Sequence, residues 1–442
     1  MTVTIIGAGL AGSEVAWQLA EAGHSVRLVE MKPKKHTPAQ KSDTFAELVC
    51  SNSFRSANVE NAVGLLKEEL RRLGSFVLQA ADATKVPAGD ALAVDRDQFS
   101  RRIHDALHAH PKISVALEEV TELPAQGPAV IATGPLTGEA LAKDLCRVIG
   151  QEQLYFYDAI APIVAADSLN MDVIFAQSRY DKGDTPDYLN CPLNEDEYKA
   201  FVKAVCDGEK VAFKTFEKPV YFEGCLPIEV MAERGEQTLS FGPMKPVGLS
   251  DPRTGRQPHA VVQLRKENVA GTAYNLVGFQ TKLSYPEQKR IFRMIPGLEN
   301  VEFLRFGAVH RNTYVEAPRV LEAGMELKAR PGVFLAGQMV GVEGYLESTA
   351  HGLCVAMALK ARLGDRPWVP PPATSALGAL LRHVMGADAS AVKKYGPENV
   401  HWGMVPPLLG KVKKIEKKAR IVERARGDFN GWMLDFFGCR SS

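Results

Sequence analysis

Three groups of residues in this 442-residue chain have the types and spacing to do chemistry. Gly7, Ala8, Gly9, Leu10, Ala11 and Gly12 spell G-x-G-x-x-G between a strand-like and a helix-like run, the setting in which that spacing is informative. Gly7 would permit a tight turn, Gly9 the close approach of a pyrophosphate to a helix N-terminus, and Gly12 the close packing of helix on strand. Glu30 follows about twenty residues on, where a carboxylate accepts hydrogen bonds from a ribose. A second glycine turn holds Gly337, Gln338, Gly341, Gly344 and Tyr345 and opens a long apolar helix, whose N-terminus would stabilise negative charge on a ring placed before it. The third group is thiol: Cys50 in LVCSNS and Cys225 in FEGCLP lie in polar or glycine-containing turns, where a thiolate can act as nucleophile. Cys146, Cys206 and Cys354 read as packing residues on apolar helix faces, and Cys191 and Cys439 show no role. Seven scattered cysteines without a C-x-x-C pair suggest neither a disulfide framework nor a zinc site, and no metal is expected.

The elements that must position these residues are legible from periodicity. Residues 2–6 and 25–30 read as strands around a helix over 13–22, a βαβ unit of the length a parallel sheet needs. A helix over 61–73 puts Val63, Leu66 and Leu70 on one stripe with Lys and Arg opposite. Asp95 can cap another helix running to about His108. Strand-like 114–117 and 129–131 lead to Thr133 and Gly134, which resemble the A-T-G element closing the FAD domain of two-dinucleotide-fold flavoproteins. Between 158 and 305 proline and glycine are frequent, runs 261–264 and 274–279 suggest antiparallel strands, and Asn194 with Glu197 resembles a capping box. WVPPP at 368–372 reads as a stiff linker before a helical end. The expected class is therefore α/β: a Rossmann-like FAD-binding domain of the two-dinucleotide-fold type (1–157 and 306–372), an inserted α+β substrate domain (158–305) and a helical, basic C-terminal region (373–442).

Composition narrows the partners. The hydrophobic fraction of 45% is ordinary for a globular chain, no run is long and apolar enough to span a membrane, and no basic leader precedes the first strand, so the expected location is the cytoplasm with no membrane partner. The net charge of +1 hides an asymmetry: from Ala361 onward fourteen Lys/Arg face seven Asp/Glu, so the tail carries +7 and the remainder −6. Lys411, Lys413, Lys414, Lys417, Lys418 and Arg420 form the densest stretch, read either as a solvated helix face or as a phosphate-binding helix.

LVCSNS, GQMVGVEGYLES, FEGCLP and GAVHRNT, in that family's arrangement, resemble the TrmFO family of folate- and flavin-dependent tRNA (uracil-5-)-methyltransferases, smaller relatives of GidA/MnmG. The resemblance runs from Thr2 to about Ala361. It implies FAD, with Gln338 departing from the commoner Gly-Asp of such flavoproteins. It also implies methylation of the T-loop uridine at tRNA position 54, with carbon passing from 5,10-methylenetetrahydrofolate through flavin N5 and reducing equivalents from NADH or NADPH. The partner would be the tRNA T-arm, bound through the basic tail. Either Cys225 or Cys50 would add to uracil C6; the inserted domain favours Cys225, leaving Cys50 near the flavin. His310 and Arg311 would line the folate or uracil pocket, and Tyr345 would stack on the flavin. A wobble-uridine modifier like GidA is disfavoured by the missing C-terminal extension; a small-molecule FAD oxidoreductase is the other alternative. Oligomeric state stays open.

Overall fold

The computed structural model describes residues 1–151, 154–181, 185–211, 221, 226–386, 395–410, 412–413 and 415–438. Its centre is a five-stranded parallel sheet in the order Val333–Leu335, Ala129–Ile131, Thr2–Ile6, Ser25–Glu30, Ile113–Leu117. The three inner strands bury apolar side chains on both faces, with Val3, Ile5, Leu28, Val130 and Ile131 wholly enclosed, as parallel strands covered on both sides require. The Leu10–Glu21 helix leaves the first strand through the glycine turn, and the Tyr345–Leu363 helix packs across it. That second helix is buried almost all round because Gly352 lets it approach: a Cβ there would lie 2.7 Å from the Ala11 carbonyl oxygen.

A six-stranded antiparallel sheet forms the second layer system, in the order Phe175–Ala176, Tyr188–Leu193, Ala260–Lys266, Ala273–Leu276, Ile163–Ala165, Phe303–Arg305. Its core draws on residues from Val164 to Val301, whereas the main core takes residues from Val3 to Leu145 and from Val315 to Trp432. A two-stranded antiparallel ribbon, Leu154–Ile160 against Ala308–Tyr314, runs between them. The helix Glu195–Asp207 begins with the expected capping box, and Asp95 accepts the Gln98 amide at the start of Arg96–Ala109.

Several local expectations are corrected. The strand expected over 274–279 stops at Leu276, ahead of Gly278 at φ +77°. Lys67, placed on the polar face of the Ala62–Arg72 helix, is fully buried, because residues 53–56 cover that face and its ammonium donates to the Ser56 carbonyl at 2.9 Å. The tail is less helical than composition suggests: between the helices Ala376–Val384 and Lys417–Gly438, the described residues 395–410 are irregular. The basic run is accordingly not one helix, since Lys413 precedes the helix that starts at Lys417, while Lys411 and Lys414 lie outside the described residues. Among the described residues no helix is long and apolar enough to cross a membrane, and no cluster of metal-ligating side chains is found.

Candidate active site

A cleft of about 1130 Å³, counting space open to solvent at its mouth, lies over the C-terminal ends of the parallel strands, where open α/β sheets bind ligands. Gly7, Gly9, Leu10, Ala11, Glu30, Thr133, Gly134, Gly337, Gln338 and Tyr345 all line it. Gly7 has φ +98°, and Gly12 sits so close beneath it that a Cβ would fall 1.9 Å from the Gly7 carbonyl oxygen. Gly9 differs: a Cβ there meets nothing within 4 Å, so its side faces open space. No side chain caps the Leu10–Glu21 helix, which leaves its first-turn amides and positive end available to an anion. The Glu30 carboxylate is held by the Ala8 amide at 2.8 Å and the Lys32 amide at 3.1 Å, with acceptor capacity left for hydroxyl groups. This donor set suits a dinucleotide: amides for a pyrophosphate and a fixed carboxylate for a ribose.

The second glycine turn closes the cleft. The Gly337 amide donates to His351 Nδ1 at 3.2 Å, and burial pushes the His351 pKa down to about 3, so the ring is a neutral acceptor. Gln338 donates through Nε2 to Glu343 at 2.6 Å, which fixes the amide at the cleft wall. Burial, then the nearby Asp158 charge, raises the Glu343 pKa well above the carboxylate range. Gly341 and Gly344 do not line the cleft. They lie under residues 395–400, where the Tyr395 hydroxyl donates to the Val340 carbonyl, Asn399 to that of Glu343 at 2.5 Å, and the Val400 amide to Glu347 at 2.9 Å.

Cys50 lies at the edge of this cleft. Its amide and that of Ser51 donate to the Tyr345 hydroxyl at 2.6 and 3.1 Å, and its Sγ is 4.0 Å from the Ala159 carbonyl oxygen of the ribbon. The neighbouring Asn52 is wholly buried and bolts the loop to the short Ala91–Val94 strand and to the six-stranded sheet, donating to Val94 at 2.9 Å and Lys266 at 2.8 Å while accepting from Arg265 at 3.0 Å. Arg96 and Arg305 both feel the Cys50 thiol electrostatically. Arg96 is anchored by Glu267, 2.9 Å from its Nε, and by the Leu48 carbonyl. On the ribbon, burial and then Arg305 and Lys41 push the His310 pKa down to about 4, and Arg311 stacks 4.1 Å over the Tyr155 ring.

A model of the family described as glucose inhibited division protein A matches residues 2–367. A protein of Geobacter sulfurreducens named methylenetetrahydrofolate–tRNA-(uracil-5-)-methyltransferase TrmFO is 59% identical over 433 residues, 98% of each chain. One of the same name from Myxococcus xanthus is 57% identical, over 98% of this chain and 94% of that one. The chain belongs to the TrmFO family. Aquifex aeolicus GidA, 16% identical, superposes with a TM-score of 0.67 over 97% of this chain and 76% of its own, a likeness of fold that agrees with the expected Rossmann-like class.

In this TrmFO-family chain ten of the expected cofactor residues line one cleft from sequence positions more than three hundred apart, while Ala8, Gly12, Gly341 and Gly344 do not line it. Cys225 lies outside the described residues. Lys413, Lys417, Lys418 and Arg420 are exposed. Sequence reasoning missed Arg96, Arg305, Asn52 and the segment 395–400. Arg96 directly follows the helix cap Asp95, and Arg305 is a lone charge in FLRFGAV; neither pattern by itself distinguishes a site residue from a surface one.

Proposed function

We propose that this chain methylates C5 of a uracil in tRNA, specifically the T-loop uridine at position 54, with carbon from 5,10-methylenetetrahydrofolate and reducing equivalents from NADH or NADPH. The observation that carries the reading is a thiol, Cys50, held at the rim of a dinucleotide cleft by the hydroxyl of a cleft-lining tyrosine. Residues 1–157 with 306–372 act as the FAD-binding part, 158–305 as the substrate part and 373–442 as the basic RNA-binding part, in a cytoplasmic enzyme.

FAD would rest its pyrophosphate on the Gly7–Gly12 turn and a ribose on Glu30, with its ring toward Gln338 and Tyr345; bound there, it supplies one-carbon transfer and hydride chemistry. The chain's own residues prepare the uracil. C5 is a poor nucleophile until a group adds to C6, and a thiolate is suited because it attacks at neutral pH and leaves readily. Cys225 takes that role, and Cys50, tied to the cofactor cleft, moves the C5 proton or activates the Cys225 thiol. His310, kept neutral by burial, offers an uncharged ring to the folate or uracil. The uridine must leave its stack to reach this rim, and Lys411, Lys413, Lys414, Lys417, Lys418 and Arg420 hold flanking phosphates.

The test supplies reduced holoenzyme with tRNA and methylene-labelled folate and maps the label. Label at the T-loop uridine is expected; label at the anticodon, or none in RNA, refutes the reading. A T-stem-loop with 5-fluorouridine separates the thiols, because fluorine replaces the proton that must leave before the thiolate is expelled. Wild type should form a covalent RNA–protein species, Cys50→Ala some, and Cys225→Ala none; the reverse pattern exchanges their roles.

A further inference from the structure

Two cations around the Cys50 rim have acidic partners among the described residues. Arg96 has Glu267, and Lys32 has Glu47 at 3.7 Å together with the carbonyls of Ser42 and Thr44. Arg305, at the end of the Phe303–Arg305 edge strand, donates from Nη2 to the Ala39 carbonyl at 3.2 Å, and no described carboxylate forms an ion pair with it. Ala39 lines the cleft, so this bond sets the guanidinium at the cleft rim, on the side of Cys50, Tyr345 and His310. Burial, then the charge of Arg96, holds the Arg305 pKa below the ordinary guanidinium value without neutralising it. A half-buried guanidinium with one hydrogen bond among the described residues is costly unless an anion completes it.

We propose that Arg305 is the receptor for the phosphate on the 5′ side of the target uridine, an inference that rests on the tRNA methylation reading above. Two features select a nucleotide phosphate. The 5′-phosphate of a pyrimidine nucleotide lies on the C5–C6 side of the base, so a thiol that works at C5 and a cation that holds that phosphate belong on one side of the rim, as Cys50 and Arg305 are. The glutamyl carboxylates of folate, by contrast, hang at the far end of that molecule from its reacting carbon. The guanidinium fork matches phosphate oxygens, and the contact would fix the extruded nucleotide rather than the helix it left.

The experiment pairs a protein change with an RNA change. Holoenzyme is assayed on a T-stem-loop RNA carrying either the native phosphate or an uncharged methylphosphonate at that one position. Wild type should lose about ten- to a hundredfold in kcat/KM on the methylphosphonate RNA, the scale of one charged hydrogen bond. Arg305→Gln should lose as much on native RNA and no more on the modified one, and Arg305→Lys should recover part of the loss. Flavin content, NAD(P)H oxidation and the KM for methylenetetrahydrofolate should stay at wild-type values, which also reports folding. Equal methylphosphonate losses in wild type and Arg305→Gln overturn the assignment, and so does a rise in folate KM, which would give the site to folate carboxylates. If wild type methylates neither RNA, the underlying reading falls, and this one with it.

Discussion

The Tyr345 hydroxyl accepts the Cys50 amide at 2.6 Å and the Ser51 amide at 3.1 Å, joining the first turn of the helix that closes the cofactor cleft to the loop that carries the thiol. Burial raises the Tyr345 pKa, so the group is a neutral hydroxyl throughout the working range. One oxygen thus sets the distance between cleft and thiol.

Tyr345→Phe tests that coupling. It leaves two partly buried amides without an acceptor, a loss of about 1–3 kcal/mol in loop order. Flavin content should persist while methylation falls by about tenfold or more. A variant that methylates at the wild-type rate would show that the hydroxyl does not position Cys50.

Two glycines of the first turn should fail in different ways. Gly9 borders open space, so Gly9→Glu should yield a folded protein whose added carboxylate repels the pyrophosphate and abolishes the yellow colour. Gly12→Ala puts a methyl 1.9 Å from the Gly7 carbonyl, and should cost about 1–3 kcal/mol or more of stability. Thermal unfolding with flavin absorbance separates the cases; a yellow Gly9→Glu protein would contradict the cleft assignment.

Lys413, Lys417 and Lys418 are exposed, so their removal should leave the fold untouched. Replacing Lys413, Lys417 and Lys418 by Ala should weaken tRNA binding and lower the log–log salt slope by roughly 0.7 to 0.9 per lost phosphate contact. Flavin content and NAD(P)H oxidation should hold. An unchanged slope would return these residues to the role of a solvated surface.

Lys67 should impose a pH dependence on stability. Burial, and then the Arg55 charge, push its pKa from 10.5 down to about 7. Below that value both folded and unfolded chains carry the proton, and the folded state bears the full penalty of a buried charge. Between pH 7 and 10.5 the unfolded chain still binds a proton that the folded chain has released, so this contribution makes stability rise with pH. Denaturant titrations should therefore show Lys67→Met gaining less stability than wild type from pH 7 to pH 10. Parallel profiles would mean that Lys67 keeps its ordinary proton affinity.

The sequence by itself determined the local devices: the glycine turn between strand and helix, the acid ending the second strand, the Asn194 and Asp95 caps, and the apolar runs that become the parallel sheet. Each depends on residues a few positions apart, where backbone sterics and side-chain period decide the outcome. Only the tertiary structure decided what covers each face. The polar stripe of Ala62–Arg72 reads as solvent-facing until residues 53–56 close over Lys67, and the basic run reads as a helix until irregular chain reaches Lys417. Tyr345 meets Cys50 across 295 positions, and Arg305 meets the Ala39 carbonyl across 266. Periodicity states which side of an element is buried, but not which distant element buries it, and the chemistry at the Cys50 rim is made of such distant meetings.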